Sequence, residues 1–124
     1  IGRYKAKAND LYYPYVRPQE NGHHTDVRWI RLEDHLGNGL LVKADSVMEF
    51  NALRNSIEDF DQGKAINHHA DEIRPRHFVE VCLDGFMQGI GGYDSWGARP
   101  APEHLLPADR AYHFGFSIQP VARS

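Results

Sequence analysis

Residues 112–118 read YHFGFSI, and this stretch decides the class of fold. Large apolar side chains stand at every second position, and His, Gly and Ser stand between them. Successive side chains of a β-strand point to opposite faces, so the pattern predicts a strand with one apolar face and one small or polar face. Tyr112–Ile118 is therefore expected to be a strand of a mainly β protein.

Further strands are predicted beside turn signals. Phe78–Leu83 (FVEVCL) is apolar at most positions, which predicts a strand covered on both faces, and it runs into Asp84–Gly85, a hairpin signal. Asp26–Leu32 and Gly39–Lys43 flank the turn HLGNG and predict another hairpin. Val47–Phe50 fits a short strand of its own.

A single segment, roughly Asn55–Lys64, has the character of a helix. Asn55 or Ser56 would cap its N-terminus, acidic residues stand in its first turn, and Gly63 would end it. Prolines and glycines punctuate the rest of the chain, and no repeat or linker is visible. The sequence thus predicts one antiparallel β-sandwich with one short helix, a single piece over residues 1–124.

Composition and charge exclude several classes of function. Hydrophobic residues make up 41% and charged residues 25% of the 124, as in a soluble globular domain. A net charge of −3 without a basic stripe argues against a nucleic-acid partner. No apolar run approaches the roughly 20 residues that span a bilayer, which argues against a membrane segment. The single cysteine, Cys82, forms no internal disulfide.

Reactive side chains do not form a self-contained catalytic or metal site. The adjacent pairs His23–His24 and His68–His69 would point to opposite faces of a strand, and no spacing typical of metalloenzymes occurs. Acidic residues are numerous, but the sequence pairs no two of them across a cleft, as glycoside hydrolysis requires. Cys82 lies in a predicted strand among apolar residues, which argues against a nucleophile. We expect no catalytic residue and no metal ligand in this chain.

Two tryptophans remain, Trp29 and Trp96. Trp29 lies inside a predicted strand and is interpreted as a core or inter-sheet residue. Trp96 stands instead in IGGYDSWGARP, residues 90–100, a stretch that has the composition of a surface turn.

The turn before Trp96 is built from residues suited to a fixed geometry. Gly91 and Gly92 allow backbone angles that other residues avoid, and Asp94 and Ser95 suit bonds to neighbouring amides. Such a loop would hold the indole in one pose at the end of the sandwich. The indole would either stack on the C–H face of a pyranose or plug the end of the sandwich, and both interpretations stay open at this point.

Three stretches, in order and with comparable spacing, resemble the C-terminal region of the glycoside hydrolase family 2 β-galactosidases: LYYPYVRPQENG (Leu11–Gly22), LDGFMQGIGGYDSWG (Leu83–Gly97) and YHFGFSIQPV (Tyr112–Val121). The resemblance runs from about Leu11 to the end of the chain. It implies the last portion of a C-terminal β-sandwich related in fold to galactose mutarotases. The enzyme implied hydrolyses terminal β-D-galactosides, such as lactose, with retention of configuration.

The resemblance assigns one functional residue to this chain. Trp96 would form an apolar platform for the galactoside, and the four turn residues before it would support its pose. The catalytic glutamates and the ligands of Mg²⁺ and Na⁺ would lie in a barrel domain outside the chain, so the chain alone would be inactive. Tyr93 stands where many members carry an acid, a difference that bears on the preferred aglycone.

The partners implied are the rest of the β-galactosidase chain, or a separate large subunit, and the galactoside. Strands of the same sandwich would lie outside the chain, so uncovered apolar edges would favour self-association. Two other functions stay open: a stand-alone carbohydrate-binding or mutarotase-like module, and a structural domain at a subunit interface.

Overall fold

The structure, a computed structural model, describes residues 1–15, 19, 21–60, 69–88 and 97–123. Its strands are β1 (His24–Glu33), β2 (Gly39–Leu53), β3 (Glu80–Asp84) and β4 (Phe116–Val121). Within the described residues, the helical elements are one α-helix, α1 (Ile57–Phe60), and three 3₁₀ turns, Ala8–Asp10, Ala70–Glu72 and Pro102–His104. The prediction of a mainly β, antiparallel fold with one short helix, consistent with a β-sandwich domain, is confirmed.

The four strands form one sheet in which β2 pairs with each of the others. The order β1–β2–β3 forms its main path, and β4 pairs with β2 off that path. The β2–β4 pairing is antiparallel and runs from Gly39 opposite Val121 to Ala44 opposite Phe116. The alternation predicted for residues 112–118 therefore holds in the sheet from Phe116 onward, and the strand begins four residues later than predicted.

The turn between β1 and β2 is organised by Asp34. Its Oδ1 accepts the backbone N–H of Leu36 at 2.8 Å and that of Asn38 at 2.9 Å. The Asn38 hydrogen bond holds the pKa of Asp34 below its usual value. The predicted hairpin is confirmed, but Val47–Phe50 is not a separate strand, because β2 continues without a break through it.

By its contacts the chain divides into two compact units. The first unit is Ile1–Thr25 with Phe50–Leu83, and the second is Asp26–Glu49 with Asp84–Ser124. Within the described residues, the buried apolar side chains of the first unit are Ala52, Leu53 and Phe60, and those of the second are Ile30, Val42 and Met48.

Several predictions of burial are wrong. Trp29 has 44% of its surface exposed in β1, so it is not a core residue of this chain, and the inter-sheet alternative stays a prediction. Every residue of β3 is half-buried, and Phe78, which precedes the strand, is 48% exposed, so this segment is not covered on both faces. No strand follows Asp84–Gly85 within residues 86–88, and the rest of that predicted hairpin lies outside the described residues. The predicted continuation of the helix beyond Phe60 also lies outside them.

Candidate functional site

The loop that carries Trp96 lies outside the residues that the structure describes. The predicted site residues all fall within it: Gly91, Gly92, Asp94, Ser95 and Trp96. Their roles therefore stay predictions. The structure does describe the chain on both sides of the loop, residues 84–88 and 97–100 of the second unit.

The chain enters the loop through a close contact with an aromatic ring. A Cβ atom added at Gly85 would lie 2.7 Å from Cγ and 3.1 Å from Cβ of Phe114, so only glycine fits there without displacing the ring. The next residue, Phe86, packs on Tyr112 with ring centroids 5.5 Å apart. The Asp84–Gly85 pair, interpreted from sequence as a hairpin signal, thus serves close packing.

Tyr112 is itself held in place from two directions. Its hydroxyl donates to the carbonyl of Pro107 at 2.8 Å and accepts from Nε of Arg110 at 2.9 Å. The Arg110 guanidinium also lies 4.9 Å from the centre of the Tyr112 ring, within the range of a cation–π contact. Phe86, just before the Trp96 loop, therefore packs on the ring of Tyr112, whose hydroxyl is hydrogen-bonded and whose face contacts Arg110.

The described residues of the LYYPYVRPQENG motif, 11–15, 19, 21 and 22, are joined by hydrogen bonds in the first unit. The backbone N–H of Tyr13 donates to Oδ1 of Asn21 at 2.8 Å, and Nδ2 of Asn51 donates to the Asn21 carbonyl at 2.6 Å. Gly22 has φ +79°, and a Cβ atom there would lie 2.8 Å from the carbonyl oxygen of Leu11. The hydrogen bonds of Asn21 and the positive φ of Gly22 therefore account for the Asn-Gly pair of the motif.

A cleft of about 190 Å³ lies in the first unit, lined by Ala8, Asn9, Tyr12, Arg54, Asn55, Ile73 and Pro75. The Tyr12 ring stacks on Phe60 with centroids 6.1 Å apart. The Tyr12 hydroxyl is buried, and no group in the described part of the chain hydrogen-bonds to it. Burial raises the pKa of Tyr12 above its usual value. Sequence reasoning missed this cleft, because its lining comes from three separated segments.

A second feature missed from sequence is a polar network at α1. Ser56 takes the N-cap position, and Oδ2 of Asp59 accepts its backbone N–H at 3.0 Å, as in one half of a capping box. Asn55, the other predicted cap, instead donates from Nδ2 to the carbonyl of Arg74 at 2.8 Å. Hydrogen bonds from Arg76 lower the pKa of Asp59. The network fixes local structure and leaves Asp59 ionised at neutral pH.

Two kinds of site were not found in the part of the chain that the structure describes. Within residues 1–15, 19, 21–60, 69–88 and 97–123, no group of three or more His, Cys, Asp and Glu side chains is placed to hold a metal ion. In the same residues no helix has the length and apolar character needed to cross a membrane.

Comparison with known proteins finds relatives that are named β-galactosidase. It is 33% identical over 122 residues to the β-galactosidase of Streptococcus thermophilus, covering 98% of this chain and 12% of that relative. It is 34% identical over 124 residues to the β-galactosidase of Priestia megaterium, covering 98% of this chain and 11% of that relative. The β-galactosidase of Leuconostoc mesenteroides is 34% identical over 118 residues, which are 94% of this chain and 10% of that protein.

A family profile described as "Beta galactosidase small chain" matches residues 1–118. The chain belongs to this β-galactosidase small-chain family, which confirms the resemblance drawn from the three motifs. It spans about a tenth of the length of the curated relatives that it matches.

Proposed function

We propose that this chain is the part of a β-galactosidase that presents Trp96 to the galactoside. The observation that carries the proposal is the small-chain family match over residues 1–118, because it includes the whole Trp96 loop. The packing of Gly85 and Phe86 on the rings of Phe114 and Tyr112 supports it, since a fixed base is what a positioned platform requires.

The complete enzyme would hydrolyse terminal β-D-galactosides by the retaining mechanism. That mechanism needs two carboxyl groups about 5 Å apart, one a nucleophile and one an acid and base, and we assign both to residues outside this chain. The Mg²⁺ and Na⁺ that the family resemblance implies would likewise be bound outside it. Trp96 would contribute binding: its flat apolar face stacks on the C–H face of the sugar, and the indole N–H stays free to hydrogen-bond.

The proposal is tested by Trp96→Ala in the complete enzyme. Uncovering an aromatic side chain from its ligand costs roughly 1.5–3 kcal/mol, which corresponds to a rise in KM of roughly ten- to hundredfold. Trp96→Phe, which keeps an apolar ring, should lose much less. Trp29→Ala is the matched control, since Trp29 lies in β1, and should leave KM unchanged. An unchanged KM with a lowered Tm in Trp96→Ala would instead support the structural role.

The 124-residue chain by itself should be inactive and should self-associate through uncovered apolar surface. Light scattering after size-exclusion chromatography would show the second property, and a strictly monomeric species would contradict it. Calorimetric titration with galactose separates the alternative function. Measurable affinity of the isolated chain, lost in Trp96→Ala, would support a stand-alone carbohydrate-binding module.

A further inference from the structure

Two aromatic rings contact the chain just before it enters the Trp96 loop. A Cβ atom placed on Gly85 would lie 3.1 Å from Cβ of Phe114, and the ring centroid of Phe86 lies 5.5 Å from that of Tyr112. Two successive residues before the loop are therefore each in contact with a ring, and the two rings belong to residues that lie two positions apart in the sequence.

The segment that carries these rings is joined directly to the sheet. The backbone N–H of Asp45, in β2, donates to the carbonyl of Gly115 at 2.9 Å. Strand β4 begins at the next residue, Phe116, which pairs with Ala44. Since Tyr112 lies only four residues before β4, the hydrogen-bonded strands limit where its ring can lie.

Tyr112 is also fixed by contacts of its own. Its hydroxyl donates to the carbonyl of Pro107 at 2.8 Å and accepts from Nε of Arg110 at 2.9 Å, and the Arg110 guanidinium lies 4.9 Å from the ring centre. Phe86 is 48% exposed, so few contacts hold its ring, and the Tyr112 ring is one of them. A change in the Tyr112 ring is therefore transmitted to Phe86.

The chain that leaves the loop is packed differently. Gly97 has φ +116°, a backbone conformation that favours glycine. A Cβ atom placed on Gly97 would meet no atom of the described residues within 4 Å, apart from its neighbours in the chain. Of the two residues Gly85 and Gly97, the one before the loop is therefore the one that lies against an aromatic ring.

We propose that Tyr112 is a positioning residue for galactoside binding. It holds the ring of Phe86 and thereby sets the direction in which the chain enters the Trp96 loop. Arg110 and Pro107 contribute by fixing the Tyr112 ring. This role rests on the proposed function, since Tyr112 acts on the galactoside only through Trp96. A displacement of about 1 Å in a group that positions substrate is enough to weaken its effect severely.

The alternative role for Tyr112 is a purely structural one. A tyrosine hydroxyl that bonds back to the backbone a few residues upstream also occurs in the tyrosine corner of β-sandwiches. A residue that only stabilises the fold lowers Tm and the fraction of active enzyme, and the KM of the folded enzyme stays unchanged. A residue that positions a binding platform raises KM, whereas kcat changes little.

Steady-state kinetics of the complete enzyme with lactose separate the two roles. Tyr112→Ala should raise KM roughly tenfold and leave kcat within about threefold. Tyr112→Phe keeps the ring against Phe86 and should raise KM only about two- to threefold. Arg110→Ala removes a contact of the ring at an exposed residue, so it should have a similarly small effect and serves as the test if Tyr112→Ala does not fold. Arg123→Ala, at another exposed arginine, is the matched control and should leave KM unchanged.

A double-mutant cycle shows whether Tyr112 acts through Trp96. In the Trp96→Ala background, Tyr112→Ala should change KM by less than about twofold, because the group that it positions is gone. Effects on KM that multiply would overturn the proposal, since Tyr112 would then act independently of Trp96. An unchanged KM in Trp96→Ala alone would contradict the proposed function and this role together. A raised KM in Trp96→Ala with an unchanged KM in Tyr112→Ala and Arg110→Ala would contradict this role alone.

Discussion

Replacing Tyr12 with Phe removes one buried oxygen atom that has no hydrogen-bond partner in the described part of the chain. The ring remains, and so does its stacking on Phe60 at 6.1 Å. The substitution therefore separates the energetic cost of the hydroxyl from the packing of the ring. We expect Tyr12→Phe to stabilise the 124-residue chain.

The magnitude follows from the burial of that hydroxyl. A buried polar group without a partner costs about 1–3 kcal/mol. The Tyr12 side chain as a whole is only half-buried and lines an open cleft, so the lower end of this range applies. We expect a gain of about 1 kcal/mol in the free energy of unfolding, or about 4 °C in Tm.

The pH dependence of the same variant has a defined sign. Burial raises the pKa of Tyr12, so the folded state keeps the phenolic proton to a higher pH than the unfolded state does. The stability that this contributes is complete below the usual tyrosine pKa of about 10 and is lost as the pH rises through the folded pKa. The advantage of Tyr12→Phe should therefore widen above pH 10.

Urea unfolding followed by circular dichroism measures the effect at pH 7 and at pH 10–11. Tyr13→Phe is the matched control: Tyr13 is 63% exposed, and its change should stay within about 0.5 kcal/mol. A loss of 1 kcal/mol or more in Tyr12→Phe would refute the reasoning, because it would mean that the hydroxyl has a partner. A loss found only in the complete enzyme would place that partner outside this chain.

Three further substitutions test local features. Asp59→Asn should lower the free energy of unfolding by about 1 kcal/mol at pH 7, because hydrogen bonds from Arg76 lower the pKa of Asp59. The contribution of Asp59 is present above the usual carboxyl pKa of about 4 and is lost as the pH falls through the folded pKa, so the variant should lose less stability in acid than the wild type. Urea titrations from pH 6 to 2 would show the difference. Gly22→Ala should cost about 1–3 kcal/mol in the same assay, since φ is +79° and the new Cβ would meet a backbone carbonyl. Gly85→Ala should displace the ring at the entry to the Trp96 loop and raise the KM of the complete enzyme, whereas an unchanged KM would separate that packing from the site.

The strand around Phe116 shows what an alternating sequence pattern predicts and what it does not predict. The pattern placed Phe116 and Ile118 on one face correctly, because side-chain direction in extended backbone depends only on the period of two. It did not predict where pairing begins. Tyr112 bonds to Pro107, and Phe114 packs at Gly85, so these residues serve loop packing before the strand starts. A period of two does not distinguish paired from unpaired extended chain.

Burial was the least predictable property. Trp29 has the sequence context of a core residue, and β3 has that of a strand covered on both faces, yet Trp29 is 44% exposed and β3 is half-buried. A sequence pattern indicates which side chains of a strand are suited to burial, whereas the structure shows which of them the described residues of this chain bury. We expect predicted and observed burial to differ most where the side chains that pack on a strand would come from another part of a longer protein.

Two acidic residues of the described chain, Asp34 and Asp59, are held in a state unlike that of a general acid. A retaining glycosidase needs a carboxyl group whose pKa is raised so that it can donate a proton. Here Asp34 and Asp59 have lowered pKa values, because the first caps the β1–β2 turn and the second bonds to Arg76. Glu80 accepts the backbone N–H of Ile57 at 3.0 Å. The carboxylates of Asp34 and Asp59 are therefore stabilised in their ionised form, which is the opposite of what a general acid requires. An aromatic platform, the role proposed for Trp96, makes no such demand on pKa.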